Sequence, residues 1–71
     1  MTFFLLQVGL GGVDLEPLSE VHHAQSFSAP SVAHAIRHAE DAIFRNPAHY
    51  EDARAVVVIY LSYEVIWARL G

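Results

Sequence analysis

An α+β fold of two layers is what this sequence predicts, with elements in the order strand, strand, helix, strand, strand. Three observations carry the prediction. Residues 54–70, RAVVVIYLSYEVIWARL, hold four consecutive β-branched residues and a second apolar run. Residues 28–47 are bounded by Ser-Ala-Pro-Ser on one side and Asn-Pro on the other, with apolar residues at helical spacing between them. Residues 2–8, TFFLLQV, are apolar on both strand faces and end in glycines.

In chain order, residues 2–8 read as the first strand. Phe4, Leu6 and Val8 line one face, with Phe3 and Leu5 on the other. Two apolar faces are expected of a strand covered on both sides or buried at an interface. Gly9, Gly11 and Gly12 break the pattern. GLGG lacks the spacing of a dinucleotide-binding fingerprint, and no helix comes after it to hold a phosphate, so it reads as a turn. Residues 13–18 contain Pro17 and read as loop. Residues 20–27, EVHHAQSF, read as the second strand, antiparallel to the first. Alternation sets Val21, His23, Gln25 and Phe27 against His22, Ala24 and Ser26.

Ser28 or Ser31 is suited to cap a helix, and Pro30 is tolerated in a first turn. The helix runs to about Arg45, because the residue before Pro47 is pushed out of the helical region. Val32, Ala35, Ile36, Ala39 and Ile43 form its buried stripe, and Asp41 and Arg45 are spaced for an i,i+4 ion pair. Residues 48–52 read as a polar connector. In residues 54–70, Val56, Val57, Val58 and Ile59 oppose helix by propensity and favour a doubly buried strand. Two strands joined by a turn around residues 61–64 are therefore preferred to a single C-terminal helix, although no Asn-Gly or Asp-Gly supplies the turn's positive φ angles. The economical architecture is one antiparallel sheet with the helix on one face. Phe3 or Leu5, Trp67 and the tyrosines are expected on the other.

Composition narrows the function classes. The chain of 71 residues makes one domain, and one of this size buries only roughly 60% of its unfolded surface. Its apolar content of 54% is high for so small a core, so part of that surface is expected against another chain, with a homodimer as the expected arrangement. Eight acidic residues face four arginines, with no lysine and a formal net charge of −4. Nucleic acid is an unexpected direct ligand for such a chain, and a protein partner with a basic surface is the expected one. Cysteine is absent, which removes disulfides and thiolate metal sites. No signal-peptide pattern or bilayer-length apolar stretch is present, so a cytoplasmic protein off the membrane is expected.

Five histidines stand out. His34 and His38 are one helical turn apart, with Asp41 beyond them on the face away from the stripe. Two imidazoles and a carboxylate at this spacing are a metal-binding pattern for zinc or nickel. The pattern is common without metal, and the HExxH form is missing. Exposed polar residues on a solvated face are the preferred reading, and no cofactor is expected. No Gly-x-Ser-x-Gly elbow surrounds any serine, and Schiff-base and thiolate chemistry lack their residues. Nothing asks for an enzyme.

Size, charge and element order resemble a loose class of very short, acidic, cysteine-free proteins of phages and mobile elements, some of which inhibit host defence stoichiometrically, as anti-CRISPR proteins do. That resemblance implies a non-enzymatic interaction module that occludes a basic surface on a host complex, and it carries over no residue roles. From the residues themselves, Trp67, Tyr60, Tyr63 and Phe3 are the candidate contacts that supply affinity, and Glu40 and Asp41 the acids that steer approach. A His-based metal-binding protein, or a structural homodimeric subunit of a larger assembly, is the alternative.

Overall fold

The computed structural model describes residues 2–70, except for the side chains of His49 and Leu70. Four strands form one antiparallel sheet, β1 (Thr2–Leu10), β2 (Glu20–Ala29), β3 (Arg54–Ile59) and β4 (Val65–Leu70), in the spatial order β2-β1-β3-β4. One helix, α1 (Val32–Arg45), crosses from β2 toward β3, and a single 3-10 turn over Pro47–Tyr50 comes after it. The predicted α+β fold and element order hold, including the hairpin reading of the C-terminal stretch.

The helix starts where its cap says it should. Ser31 is extended, and its Oγ accepts a hydrogen bond from the His34 N–H at 3.3 Å, satisfying one of the orphan donors of the first turn. It ends at Asn46, before Pro47. Ala35, Ala39 and Ile43 are its buried residues. The two alanines let its backbone approach the sheet, where Phe4, Leu6, Val8, Ala55 and Val57 complete one core cluster. Register explains the set: Leu6 pairs with Val57 and Val8 with Ala55 across the β1–β3 ladder, so all share the helix-facing side.

The opposite, far face is closed more fully than its lack of a helix suggests. Val56 and Val58 lie on it by alternation with Val57, yet are fully buried. Each sits in the centre of the sheet with a cross-strand neighbour on both sides: Gln7 and Ala68 for Val56, Leu5 and Val65 for Val58. The loop between β1 and β2 closes one end. Arg54, 7% exposed, donates from Nη1 to the carbonyls of Gly11 (3.3 Å) and Glu16 (2.8 Å) and from Nη2 to that of Asp14. This loop uses positive φ at Gly11, Gly12 and Asp14. A Cβ on Gly12 would lie 2.8 Å from Arg54 Nη1, so glycine there makes room for the guanidinium.

Five expectations are corrected. Val32, expected in the buried helix stripe, is 45% exposed at the first helical position. Val21 does not share a face with His23, because a bulge shifts the register so that Val8 faces His23 while Gly9 faces Val21. An extra residue in a strand moves every later side chain to the other face. The supposed polar connector contains Tyr50, a core residue at 6% exposure, whose burial pushes its phenol above the usual tyrosine range. Among the described residues Arg54 pairs with no carboxylate; its donors go to main-chain oxygens. Trp67, expected on the far face, pairs with Val57 on the helix side and packs, half-buried, against the core. The bulge in the β3–β4 ladder between Val57 and Val58 is invisible to a strict alternation count.

Candidate functional site

Exposed apolar side chains gather at both ends of the sheet, Leu10, Val13, Leu15 and Val21 around the Arg54-anchored loop and Phe3, Tyr60, Leu61 and Tyr63 at the opposite end, where the aromatic ones lie. Phe3, on the far face of β1, is 61% exposed. Its carbonyl accepts the Tyr60 N–H at 3.0 Å, which carries the β1–β3 ladder one step past the Phe4–Ile59 pair. The β3–β4 turn begins there. It is closed by the Tyr63 N–H donating to the Ile59 carbonyl at 2.8 Å and the Ile59 N–H donating to the Glu64 carbonyl at 2.9 Å. Tyr63 supplies the left-handed residue, with φ 57°, in the place where Gly or Asn is the ordinary choice. The turn presents Tyr60, Leu61 (90% exposed) and Tyr63 to solvent.

Thr2, Phe3, Ser26, Ile59, Tyr60 and Leu61 line an open concavity of about 540 Å³ at this end. Its lining is mostly apolar, with Thr2 and Ser26 among the residues that form it. Of the predicted partner residues, Phe3 and Tyr60 come together in this lining and Tyr63 lies on the same turn, while Trp67 does not join them. Leu61, which the sequence reading passes over, is the most exposed member. A turn residue carries no periodic signal, but a leucine with no face to occupy was itself a signal. Phe44 was missed in the same way. It lies off the buried helix stripe and is 84% exposed.

Glu40 and Asp41 are exposed on the helix, whose packing side is the sheet face opposite Phe3. The acids and the aromatic patch thus occupy different sides of the molecule. Asp41 Oδ2 pairs with Arg45 Nε at 3.1 Å. All eight acidic residues are exposed. With Arg54 buried, only Arg37, Arg45 and Arg69 offset them at the surface, so the surface is more acidic than the composition alone implies.

The three candidate metal ligands are not gathered. His34 is engaged at the helix start, its Nδ1 2.7 Å from Ser31 Oγ. His38 lies over the sheet, its ring stacked on Phe27 with centroids 4.1 Å apart and planes at 13°. Asp41 faces Arg45. The helix positions of His34, His38 and Asp41 fit a common face, but their side chains turn to three different local partners. Among the described residues, no group of three or more His, Asp or Glu side chains is placed to hold a metal ion, and no buried side-chain polar atom lacks a hydrogen-bond partner.

A second concavity of about 450 Å³ at the loop end is lined by Gly12, Val13, Asp14, Arg54, Ala68 and Arg69. The Arg54 guanidinium there is already committed to three carbonyls, and Asp14 and Arg69 bring opposite charges to the lining. Among the described residues, no helix is long and apolar enough to cross a membrane. No protein-family model, no curated protein and no solved structure matches the chain.

Proposed function

We propose that this protein is a non-enzymatic interaction module that docks on a partner protein through the patch of Phe3, Tyr60, Leu61 and Tyr63. The observation that carries the reading is the unlike character of the two ends of the sheet. At one end a loop is clamped on Arg54, while the other leaves the Phe3 and Tyr60 rings and Leu61 around an apolar concavity, with the exposed Tyr63 on the same turn. Rings of this kind, grouped in one place, are the usual anchors of protein interfaces. The Tyr63 backbone strengthens the reading. An exposed aromatic residue held at positive φ is costly to the fold, and its exposed ring offers the fold little in return.

The partner in this proposal has a basic surface, because the exposed charge is predominantly acidic, eight carboxylates against three arginines, and would steer approach. Aromatic contact would then supply affinity. Deployed against a host complex, such a module acts by occlusion, as a stoichiometric inhibitor with no turnover. The absence of cysteine suits a reducing, cytoplasmic setting.

The test is affinity capture with quantitative mass spectrometry, comparing the native chain with a Phe3→Ser, Leu61→Asp double variant whose fold is checked by circular dichroism. The expected result is a partner recovered in fixed stoichiometry by the native chain and depleted at least about tenfold with the variant, a loss of about 1.4 kcal/mol. Equal recovery by both, with both folded, would remove the patch from the proposal.

A further inference from the structure

We infer that the outer edge of β2 is a self-association surface, and that two copies pair there antiparallel to continue the sheet across a two-fold axis. The edge is independent of the aromatic patch. Sheet order leaves β2 with a neighbour only on its β1 side among the described residues. An edge strand offers a row of main-chain donors and acceptors to any second strand, and proteins normally blunt it with charge, proline, a bulge or brevity. β4, the other edge, is blunted in several of these ways. It has six residues, a bulge in its ladder, exposed Arg69 within it and exposed Glu64 just before it. β2 has ten residues, and after Glu20 none of them is Asp, Glu, Lys, Arg or Pro. Its bulge sits at the Val21 end, leaving the register regular from His23 to Ala29.

Charge selects the occupant. A basic foreign partner would be drawn to acids, and from Val21 to Ala29 this edge has none. A second copy has the same net negative charge and must approach where that charge is lowest, which is this edge. The side-chain pattern is also self-complementary. A two-fold axis at Gln25 sets Gln25 against Gln25 of the second copy, where two amides exchange hydrogen bonds. It sets Ala24 against Ser26, two small residues on the far face. On the helix side it sets His23 against Phe27, whose ring is already held between His38 and Phe4, with centroids at 4.1 and 5.7 Å. Ordered aromatic pairs opposite one another are what stabilises an antiparallel ladder. The contact is short, so the dimer is expected to be weak, with a dissociation constant on the order of micromolar.

Two measurements on the full chain test this. Sedimentation velocity over a dilution series at neutral pH is expected to show a monomer–dimer equilibrium in the native chain. Gln25→Lys, which sets like charges directly opposite across the axis, should weaken it at least about tenfold. Because the chain has no cysteine, a single introduced thiol reports the register. Gln25→Cys should oxidise readily to a covalent dimer, since paired strands bring opposite Cα atoms within disulfide reach. Ser28→Cys should not, because the two copies of that position lie about 20 Å apart in this register. A native chain that stays monomeric well above micromolar overturns the inference. So does equal crosslinking of the two variants, or a dimer indifferent to Gln25→Lys but broken by Phe3→Ser. The last outcome would move self-association to the aromatic patch.

Discussion

Tyr63 shows the balance at the scale of one residue. Its φ of 57° puts its Cβ against the next carbonyl, a strain of about 1–3 kcal/mol that glycine does not suffer. Tyr63→Gly is therefore expected to stabilise the fold by about 1 kcal/mol, after subtracting the extra freedom glycine has in the unfolded chain. Urea unfolding checks it. A loss of stability instead would mean that the ring packs on the fold, and the argument for a binding role at that position would go. Arg54 illustrates a different balance. A buried guanidinium is costly unless its donors are met, and here three carbonyls of one loop meet them. The residue reads from the sequence as one more surface arginine because its partners lie about forty positions away. The histidines teach the same lesson in reverse. Helical spacing set His34, His38 and Asp41 on one face, but nearer partners took each side chain first.

At the scale of elements, local signals were legible wherever the neighbours that decide them are close in sequence. Ser31, Pro30 and Asn46-Pro47 bracket the helix, and the Val56 to Ile59 run makes β3, because capping and χ1 restriction act within a few residues. Register was not legible in the same way. The bulge beside Gly9 is a property of two strands together, and it reassigns Val21. Gly9 exists to permit it: a Cβ there would fall 1.8 Å from the Glu20 carbonyl oxygen, a main-chain atom with no way to swing aside. Gly9→Ala is expected to cost about 2–3 kcal/mol, measured by thermal unfolding. A loss below about 1 kcal/mol would show that β2 slides to relieve the clash.

Across the whole molecule, surplus apolar content is divided between two fates. Part packs across the strands of the far face, where Val56 and Val58 are buried, and part remains exposed, at Phe3, Tyr60, Leu61 and Tyr63 at one end, at Leu10, Val13 and Leu15 around the β1–β2 loop and at Phe44 on the helix. The high apolar fraction signalled that something needed cover but did not say that the chain covers much of it itself. Trp67 belongs to the first fate. Its position against Val57 makes it a packing residue, so Trp67→Ala is expected to cost about 2 kcal/mol, reduced from the fully buried value because the side chain keeps some exposure. In a domain of this size that lowers the melting temperature by about 10 °C. Loss of partner binding without loss of stability would reverse the assignment and return Trp67 to the interface.

By itself the sequence determined the α+β class, the order of elements, the helix limits and the two-sided burial of β3. Each comes from backbone preference and periodicity, which are local. It also determined an acidic surface, since charge is additive. Tertiary structure alone decided which sheet face each side chain joins, because bulges shift register between strands far apart in the chain. It alone decided that Arg54 closes one end of the far face, and that the aromatic patch forms at the other. A patch exists only when residues from different elements meet, and Phe3 meets Tyr60 through a ladder that joins opposite ends of the chain.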